Sequence, residues 1–288
     1  MYSSDLTPEN RARGMALIGI AFGAGFTLGP LIAYFGLAVF ARQPWGVGAL
    51  ASLLSLVALV FAVLTFKETR NPDNKAAREF FSFGRTAGVL ALPAVGPLVL
   101  VYFLSIFAFA NFEATLARFT KEGFGMTDDD NFLVFAAIGG MLMLAGGLYR
   151  PLAKRLPEVR LLAVGLAILI LGLAGIGLVS WLVHRDAVAG LAVADRLRWM
   201  FYASAAAAVA GFAFVNPSVS ALISKRADPA RQGEVLGVNQ SFASLGRILG
   251  PFAGSMLFAM HPSRTLPYAM AVATLCFVAT LVPRISRR

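Results

Sequence analysis

Apolar runs of about 20 residues alternate with short polar breaks along almost the whole chain, and about 20 apolar residues is what an α-helix needs to cross a hydrocarbon layer ~30 Å thick. Eight runs are predicted as spans: Gly14–Phe40, Val47–Phe66, Pro97–Ala117, Asn131–Tyr149, Leu161–Val183, Trp199–Ser224, Val235–Met260 and Thr265–Val282. The stretch Thr86–Gly96 is also apolar, but Pro93, Gly96 and Pro97 break it from the run that follows. It reads as an interfacial segment leading into the third span. The predicted fold class is all-α, a polytopic membrane protein with eight transmembrane helices.

Composition agrees with the pattern. Of the 288 residues, 58% are hydrophobic and 14% charged, against roughly 25% charged in a soluble domain. The net charge of +10 does not point to nucleic acid, because the basic residues sit in short clusters between apolar runs. That is how topogenic charge is laid down. One side of the alternating loops holds Arg11, Arg13, Lys67, Arg70, Lys75, Arg78, Arg85, Arg150, Lys154, Arg155, Arg160, Lys225, Arg226, Arg231, Arg284, Arg287 and Arg288. The other holds Arg42, Arg118, Lys121, Arg185, Arg196, Arg198 and Arg264. Seventeen against seven predicts both termini on the cytoplasmic side of an inner membrane. No signal-peptide pattern is seen, since residues 1–13 are polar and no basic segment precedes the first run.

The longest polar connection, Lys67–Arg85, is the natural boundary between two bundles. Residues 1–66 are expected to be part of an N-terminal bundle, 67–96 a cytoplasmic central loop with the interfacial segment, and 97–288 a six-helix C-terminal bundle. An internal repeat supports this division. Gly25-Phe26-Thr27-Leu28-Gly29-Pro30 and Gly246-Arg247-Ile248-Leu249-Gly250-Pro251 lie 221 residues apart. At the same offset, the loop Thr7-Pro8-Glu9-Asn10-Arg11 matches Asp228-Pro229-Ala230-Arg231. Parallel repeats are one plan of membrane transporters. If the two halves are equivalent, four spans of the first half are not in this sequence.

These residues carry a family resemblance. Asp5 to Gly14, followed by Gly25-x-x-x-Gly29-Pro30, resembles the fourth-to-fifth span region of major facilitator drug/proton antiporters, the tetracycline-efflux type included. The group's fifth-span motif is G-x8-G-x3-G-P-x2-G-G; here Ala16 stands at the first glycine and Ala33-Tyr34 at the last pair. The seventh span carries a fuller copy with Gly237, Gly246, Gly250, Pro251 and Gly254. Gly147-Leu148-Tyr149-Arg150-Pro151-Leu152-Ala153-Lys154-Arg155 is similar to the group's cytoplasmic loop motif in its weaker C-half copy. Asn111-Phe112-Glu113 and the Ser241-to-Pro251 run are also similar to it. The resemblance covers the whole chain and makes its spans the fifth to twelfth of twelve. It implies a monomeric secondary transporter in the lipid bilayer that moves small amphipathic molecules outward by alternating access, with protons as coupling ion and no cofactor. The four leading spans would carry the intact loop motif and an acidic relay residue, so truncation is expected to impair transport.

Several residues invite a function beside a plainer role. Gly25, Gly29 and Pro30 suit a helix whose packing changes between states, and equally suit static close packing. Arg247 is the one charge in the middle of a span, a placement costing ~2.5–3.5 kcal/mol on insertion scales. It is expected either to pair with Glu113 or to meet helix carbonyls or water. Glu113 either binds a proton or cation in a central cavity or is wetted from outside near Arg118 and Lys121. Asn111, Asn216, Asn239 and Gln240 either bind a ligand or join helices. Tyr102, Phe109, Phe112, Phe212 and Phe214 are candidates to line an apolar cavity. Arg150, Pro151, Lys154 and Arg155 either clamp the inward face or only set topology. Asp128-Asp129-Asp130 is expected to start a helix rather than hold a metal. Cys276 lies in an apolar run, and His184 and His261 fall between spans, so no thiolate or histidine metal site is indicated. No H-E-x-x-H, P-loop or Gly-x-Ser-x-Gly motif is present, which disfavours a membrane enzyme or scaffold. A non-transporting remnant is the remaining alternative.

Overall fold

A computed structural model describes residues 8–65, 83–228 and 231–286, with side chains from residue 24 onward apart from those of Phe83, Arg85, Arg284 and Ser286. Most of the long polar connection, and Pro229-Ala230 of the repeated loop, lie outside these residues. The described chain is helical throughout: α1 (Pro8–Val39), α2 (Pro44–Thr65), α3 (Phe83–Leu90), α4 (Gly96–Phe124), α5 (Asp128–Ala153), α6 (Glu158–Val188), α7 (Asp195–Arg226), α8 (Gln232–Met260) and α9 (Leu266–Ser286). Seven of these are long and apolar enough to cross a membrane, and Ala24–Val39 of α1 is a shorter apolar stretch. The protein is an all-α polytopic membrane protein. The segment after Thr86 is a short helix and a turn, because Pro97 serves at the start of α4, where its missing N–H costs nothing.

Helices outrun the apolar runs that predict them. α4 continues seven residues beyond Ala117 to Phe124, and Gly125 closes it at φ 65°, in the left-handed cap that glycine favours. α6 runs to Val188, so His184 is helical rather than in a loop. Polar residues end the membrane-compatible stretch without ending the hydrogen-bond ladder. α5 begins with a capping box: Thr127 accepts from the Asp130 N–H, and Asp130 accepts from the Thr127 N–H at 2.8 Å. The three aspartates thus stand where a helix N-terminus favours negative charge.

The chain forms two compact units: Met1–Phe81 with Phe132–Gly140, and Ser82–Asn131 with Met141–Arg288. In the first, α1 and α2 meet through small residues. A Cβ on Gly36 would lie 2.7 Å from Leu50, and one on Gly46 2.4 Å from Phe40. α2 buries only Gly46. In the second unit α4 is central, with Leu98, Val99, Val101, Ala108, Thr115 and Leu116 fully buried. Two glycine contacts hold it together. On α6, a Cβ at Gly172 would sit 2.3 Å from Ala208 N, and on α7 one at Gly211 would sit 2.4 Å from Leu169 N, so the two helices pack backbone to backbone. α8 approaches α4 in the same way.

Candidate functional site

On α4, Tyr102, Phe109 and Glu113 are spaced by seven and four residues and form one stripe. Phe109 stacks on Phe212 of α7, with centroids 3.9 Å apart and planes at 6°. Asn216 lies one turn further along α7, on the same face as Phe212. On α8, Gln240 and Arg247 are seven residues apart and share a face; both are exposed. The charge of Arg247 is felt at Glu113. Aromatic, amide and charged groups of α4, α7 and α8 therefore belong to one unit. Polar chemistry of this kind within apolar helices suits a ligand with an apolar body and a polar group.

Glycines fix the register of α8 against α4. A Cβ on Gly246 would lie 3.0 Å from Phe103 O, one on Gly250 2.6 Å from Phe107 O, and one on Gly254 2.3 Å from Asn111 Oδ1. The partner number rises with the α8 number, so the helices run parallel. Arg247 stands level with Phe103–Phe107, and Glu113 lies about eight residues further on, ~12 Å at 1.5 Å per residue. That offset explains why no ion pair within 4 Å joins them among the described residues. Arg118 and Lys121 do not attend Glu113 either. Arg118 approaches Glu122 at 3.8 Å and Lys121 approaches Asp128 at 3.3 Å.

Two of the amides are buried, and one of them joins helices. Asn111 is fully buried and its Nδ2 donates to Pro267 O at 2.8 Å, tying α4 to the start of α9. Its Oδ1 fills the space left by the missing side chain of Gly254. Asn239 lies two turns before Gly246 on the α4-facing side of α8, buried, with Oδ1 lacking a hydrogen-bond partner. Tyr102, Phe109, Phe112 and Phe214 are all closed into the core, at 6%, 5%, 1% and 8% exposure, and only Phe212 of the candidate rings is half-buried. Phe214 packs edge-on against Tyr149 and closely against Gly165.

The two glycine–proline copies differ. Among the described residues nothing lies within 4 Å of a Cβ built on Gly25, Gly29 or Gly237, whereas Gly246, Gly250 and Gly254 press into α4, and Gly139 of α5 presses onto the backbone of α1 at Phe26 and Thr27. Pro30 and Pro251 lie inside their helices. The expected cytoplasmic loop motif is mostly not a loop. α5 carries it from Gly147 through Arg150 and Pro151 to Ala153, and only Lys154 and Arg155 stand in the exposed turn beyond. Next to that turn, Lys225 of α7 pairs with Glu158 of α6 and holds its carboxyl below the usual range.

Sequence reasoning misses a cluster at the end where α4 and α8 finish. The guanidinium groups of Arg118 and Arg264 lie 4.8 and 4.9 Å from the Phe258 ring centroid. Arg264 also bonds Glu122 at 3.0 Å and Phe258 O at 2.8 Å. Four residues from three segments meet there, and only Arg118 and Glu122 show helical spacing. Among the described residues no group of three His, Cys, Asp or Glu is placed to hold a metal.

The family model described as Major Facilitator Superfamily matches residues 1–194 and 187–287. Major facilitator superfamily domain-containing protein 10 of Mus musculus is 28% identical over 299 residues, covering 96% of this chain and 59% of its own length. Multidrug resistance protein 1 of Bacillus subtilis is 27% identical over 281 residues, covering 95% of this chain and 65% of its own. Other relatives include drug-resistance proteins of the tetracycline and quinolone type, as the glycine–proline motif implies. The crystal structure of the human organic anion transporter MFSD10 (TETRAN) matches with a TM-score of 0.65 at 24% identity, covering 96% of this chain and 65% of that one; it speaks for the fold. The chain thus spans about three fifths of the length of the relatives it matches.

Proposed function

Because the chain belongs to the Major Facilitator Superfamily, whose members are transporters, we propose that it serves in proton-coupled efflux of small amphipathic molecules across an inner membrane by alternating access. The observation that carries this is Glu113. It is the single acidic residue inside any of the eight predicted spans. It shares a stripe with Phe109, whose ring is stacked on Phe212, and its charged neighbour is Arg247. A carboxyl in an apolar span is suited to exchanging a proton as access changes. The half-buried Phe212 ring, stacked on Phe109, suits the apolar body of a substrate. Tyr102, Asn216 and Gln240 complete the proposed site, while Asn111 and Asn239 hold the helices that form it.

In the same reading, Gly25, Gly29 and Pro30 of α1 form a gating face, and residues 1–66 and 97–288 belong to two bundles that move against each other. The basic loops face the cytoplasm, as does the turn at Lys154 and Arg155.

The test is flux in proteoliposomes containing this chain, loaded with ethidium, an amphipathic dye, under an imposed proton gradient. Gradient-dependent dye movement is expected, abolished by a protonophore and by Glu113→Gln. Flux that ignores the gradient, or that survives Glu113→Gln, would refute the coupling. No movement of any amphipathic probe would refute transport by this chain.

A further inference from the structure

The chain has two histidines, His184 and His261, 77 residues apart, and the fold sets them ring to ring. α6 stays helical past its apolar run and carries His184 in its last turns, while His261 caps the end of α8. The ring centroids lie 6.3 Å apart, with planes at 72°. His184 is half-buried and makes no hydrogen bond among the described residues. His261 is exposed, and its Nδ1 accepts the Ser263 N–H at 3.1 Å and lies 2.8 Å from Ser263 Oγ, which leaves Nε2 as its open nitrogen. Ser180, one turn before His184 on α6, donates to Ser263 O at 2.6 Å. The turn bearing His261 is thus already fastened to the helix bearing His184. The cations beside them in sequence are engaged elsewhere: Arg185 pairs with the buried Asp186 at 2.6 Å, and Arg264 with Glu122 at 3.0 Å.

Two imidazoles on a braced frame are a ligand set for one class of ion. We propose that His184 and His261 form a binding site for a divalent transition-metal ion of the zinc or copper type. A zinc ion stands ~2.1 Å from a ring nitrogen and so roughly 3.2 Å from that ring's centroid, which lets one ion join rings up to ~6.4 Å apart. At 6.3 Å the pair lies within that span. A tetrahedral angle needs the centroids ~1 Å closer, a movement the exposed His261 side chain supplies by rotation. Binding through Nε2 places the ring proton on Nδ1. Ser263 Oγ stands where it can accept that proton and donate onward to Thr265 Oγ1 at 2.8 Å, the outer contact that orients a ligating histidine. Mg²⁺ and Ca²⁺ take oxygen ligands and find no such set here, since the Asp186 carboxylate is held by Arg185. The site is independent of the transport reading. The bound ion braces the end of α6 against the turn between α8 and α9.

Calorimetric titration with Zn²⁺ tests it, on the metal-stripped chain in lipid nanodiscs and without a polyhistidine tag, which would bind metal itself. One Zn²⁺ per chain is expected, undisturbed by excess Mg²⁺. His184→Gln and His261→Gln each weaken binding at least ~10-fold, about 1.4 kcal/mol, and the double variant is little weaker than either single, because one histidine alone holds the ion poorly. Zn²⁺ raises the unfolding temperature of the parent and leaves both single variants unmoved. With Cu²⁺ as probe, electron paramagnetic resonance shows splitting from two imidazole nitrogens in the parent and from one in each single variant. Zn²⁺ binding as tight in either single variant as in the parent, a double variant far weaker than both singles, one-imidazole splitting in the parent, or no binding at all would each overturn the proposal. Size-exclusion profiles matching the parent show that a variant has folded, and His184→Gln is the cleaner of the two because it removes no hydrogen bond from the turn.

Discussion

The two glycine–proline helices are written almost alike and used differently. In α8, Gly246, Gly250 and Gly254 lie one turn apart, and each faces the backbone or buried amide of α4. In α1, a Cβ on Gly25 or Gly29 would meet no atom within 4 Å among the described residues. Glycine in a helix interior is ~0.8–1 kcal/mol worse than alanine. In α8 that cost is offset by close approach of a second helix. Static packing supplies no such offset at Gly25 and Gly29 among the described residues. The α8 copy is thus welded through its own glycines, whereas the α1 copy is met at Phe26 and Thr27 by Gly139 of α5, where a Cβ would lie 2.5 Å from the backbone.

The sharpest way to break this comparison is to add side chains to both copies. Gly250→Val should lower stability by ~3 kcal/mol, at the upper end for overpacking, because the obstruction is Phe107 O, a backbone atom that cannot rotate away. Gly29→Ala should be neutral or stabilising by up to ~1 kcal/mol. Thermal unfolding in detergent reads both. Should Gly29→Ala cost as much as Gly250→Val, the two faces are equivalent and the contrast is lost. A stable Gly29→Ala protein with slowed flux would sharpen the gating assignment.

Next in size is Asn111, which shares its space with Gly254. Asn111→Ala removes the bond to Pro267 O that ties α4 to α9, an expected loss of ~1–2 kcal/mol. Gly254→Ala should lose less in the Asn111→Ala background than in the parent, since the atom it strikes is gone. Additive losses in that cycle would show that α8 is seated by something other than this contact. Away from the glycine contacts, Thr127→Val deletes the cap of α5 and should cost ~1 kcal/mol. It serves as a control, because its effect should be the same with or without Gly254→Ala.

Hydrophobic run length made the spans legible, since each is long enough to be read without knowing its neighbours. Helix ends were less so. α4 and α6 extend past their apolar runs because charged and polar residues at their ends, Arg118 to Glu122 and His184 to Asp186, are compatible with a helix outside hydrocarbon. The Glu113 stripe could be drawn from spacing, and the glycine motif pointed to α8. Whether a glycine meets a backbone, however, depends on a second helix that spacing does not place. The same holds for Arg247 and Glu113. Counting along each helix suggests a pair, and only the α4–α8 register separates them. The Arg118, Glu122, Phe258 and Arg264 cluster joins segments remote in sequence and had no local signal.

The smallest expected effect lies in the other glycine-packed pair, α6 and α7, whose ends are tied by Lys225 and Glu158. The hydrogen bond from Lys225 is the main reason the Glu158 carboxyl stays below its ordinary value. A carboxyl whose folded value is depressed stabilises the fold fully above the unfolded value, ~4.3 for glutamate, and loses that contribution as pH falls through the folded value. The tie therefore operates at neutral pH and fades only in acid. Lys225 is 64% exposed, so solvent screening limits the contribution to at most ~0.5 kcal/mol. Glu158→Gln should lower the unfolding temperature slightly at pH 7 and have no effect once the parent carboxyl is protonated, so the two unfolding curves converge in acid. A constant gap between parent and variant from pH 7 down to pH 3 would mean that Glu158 acts by packing, and that backbone contact at Gly172 and Gly211 holds α6 to α7 without help from charge.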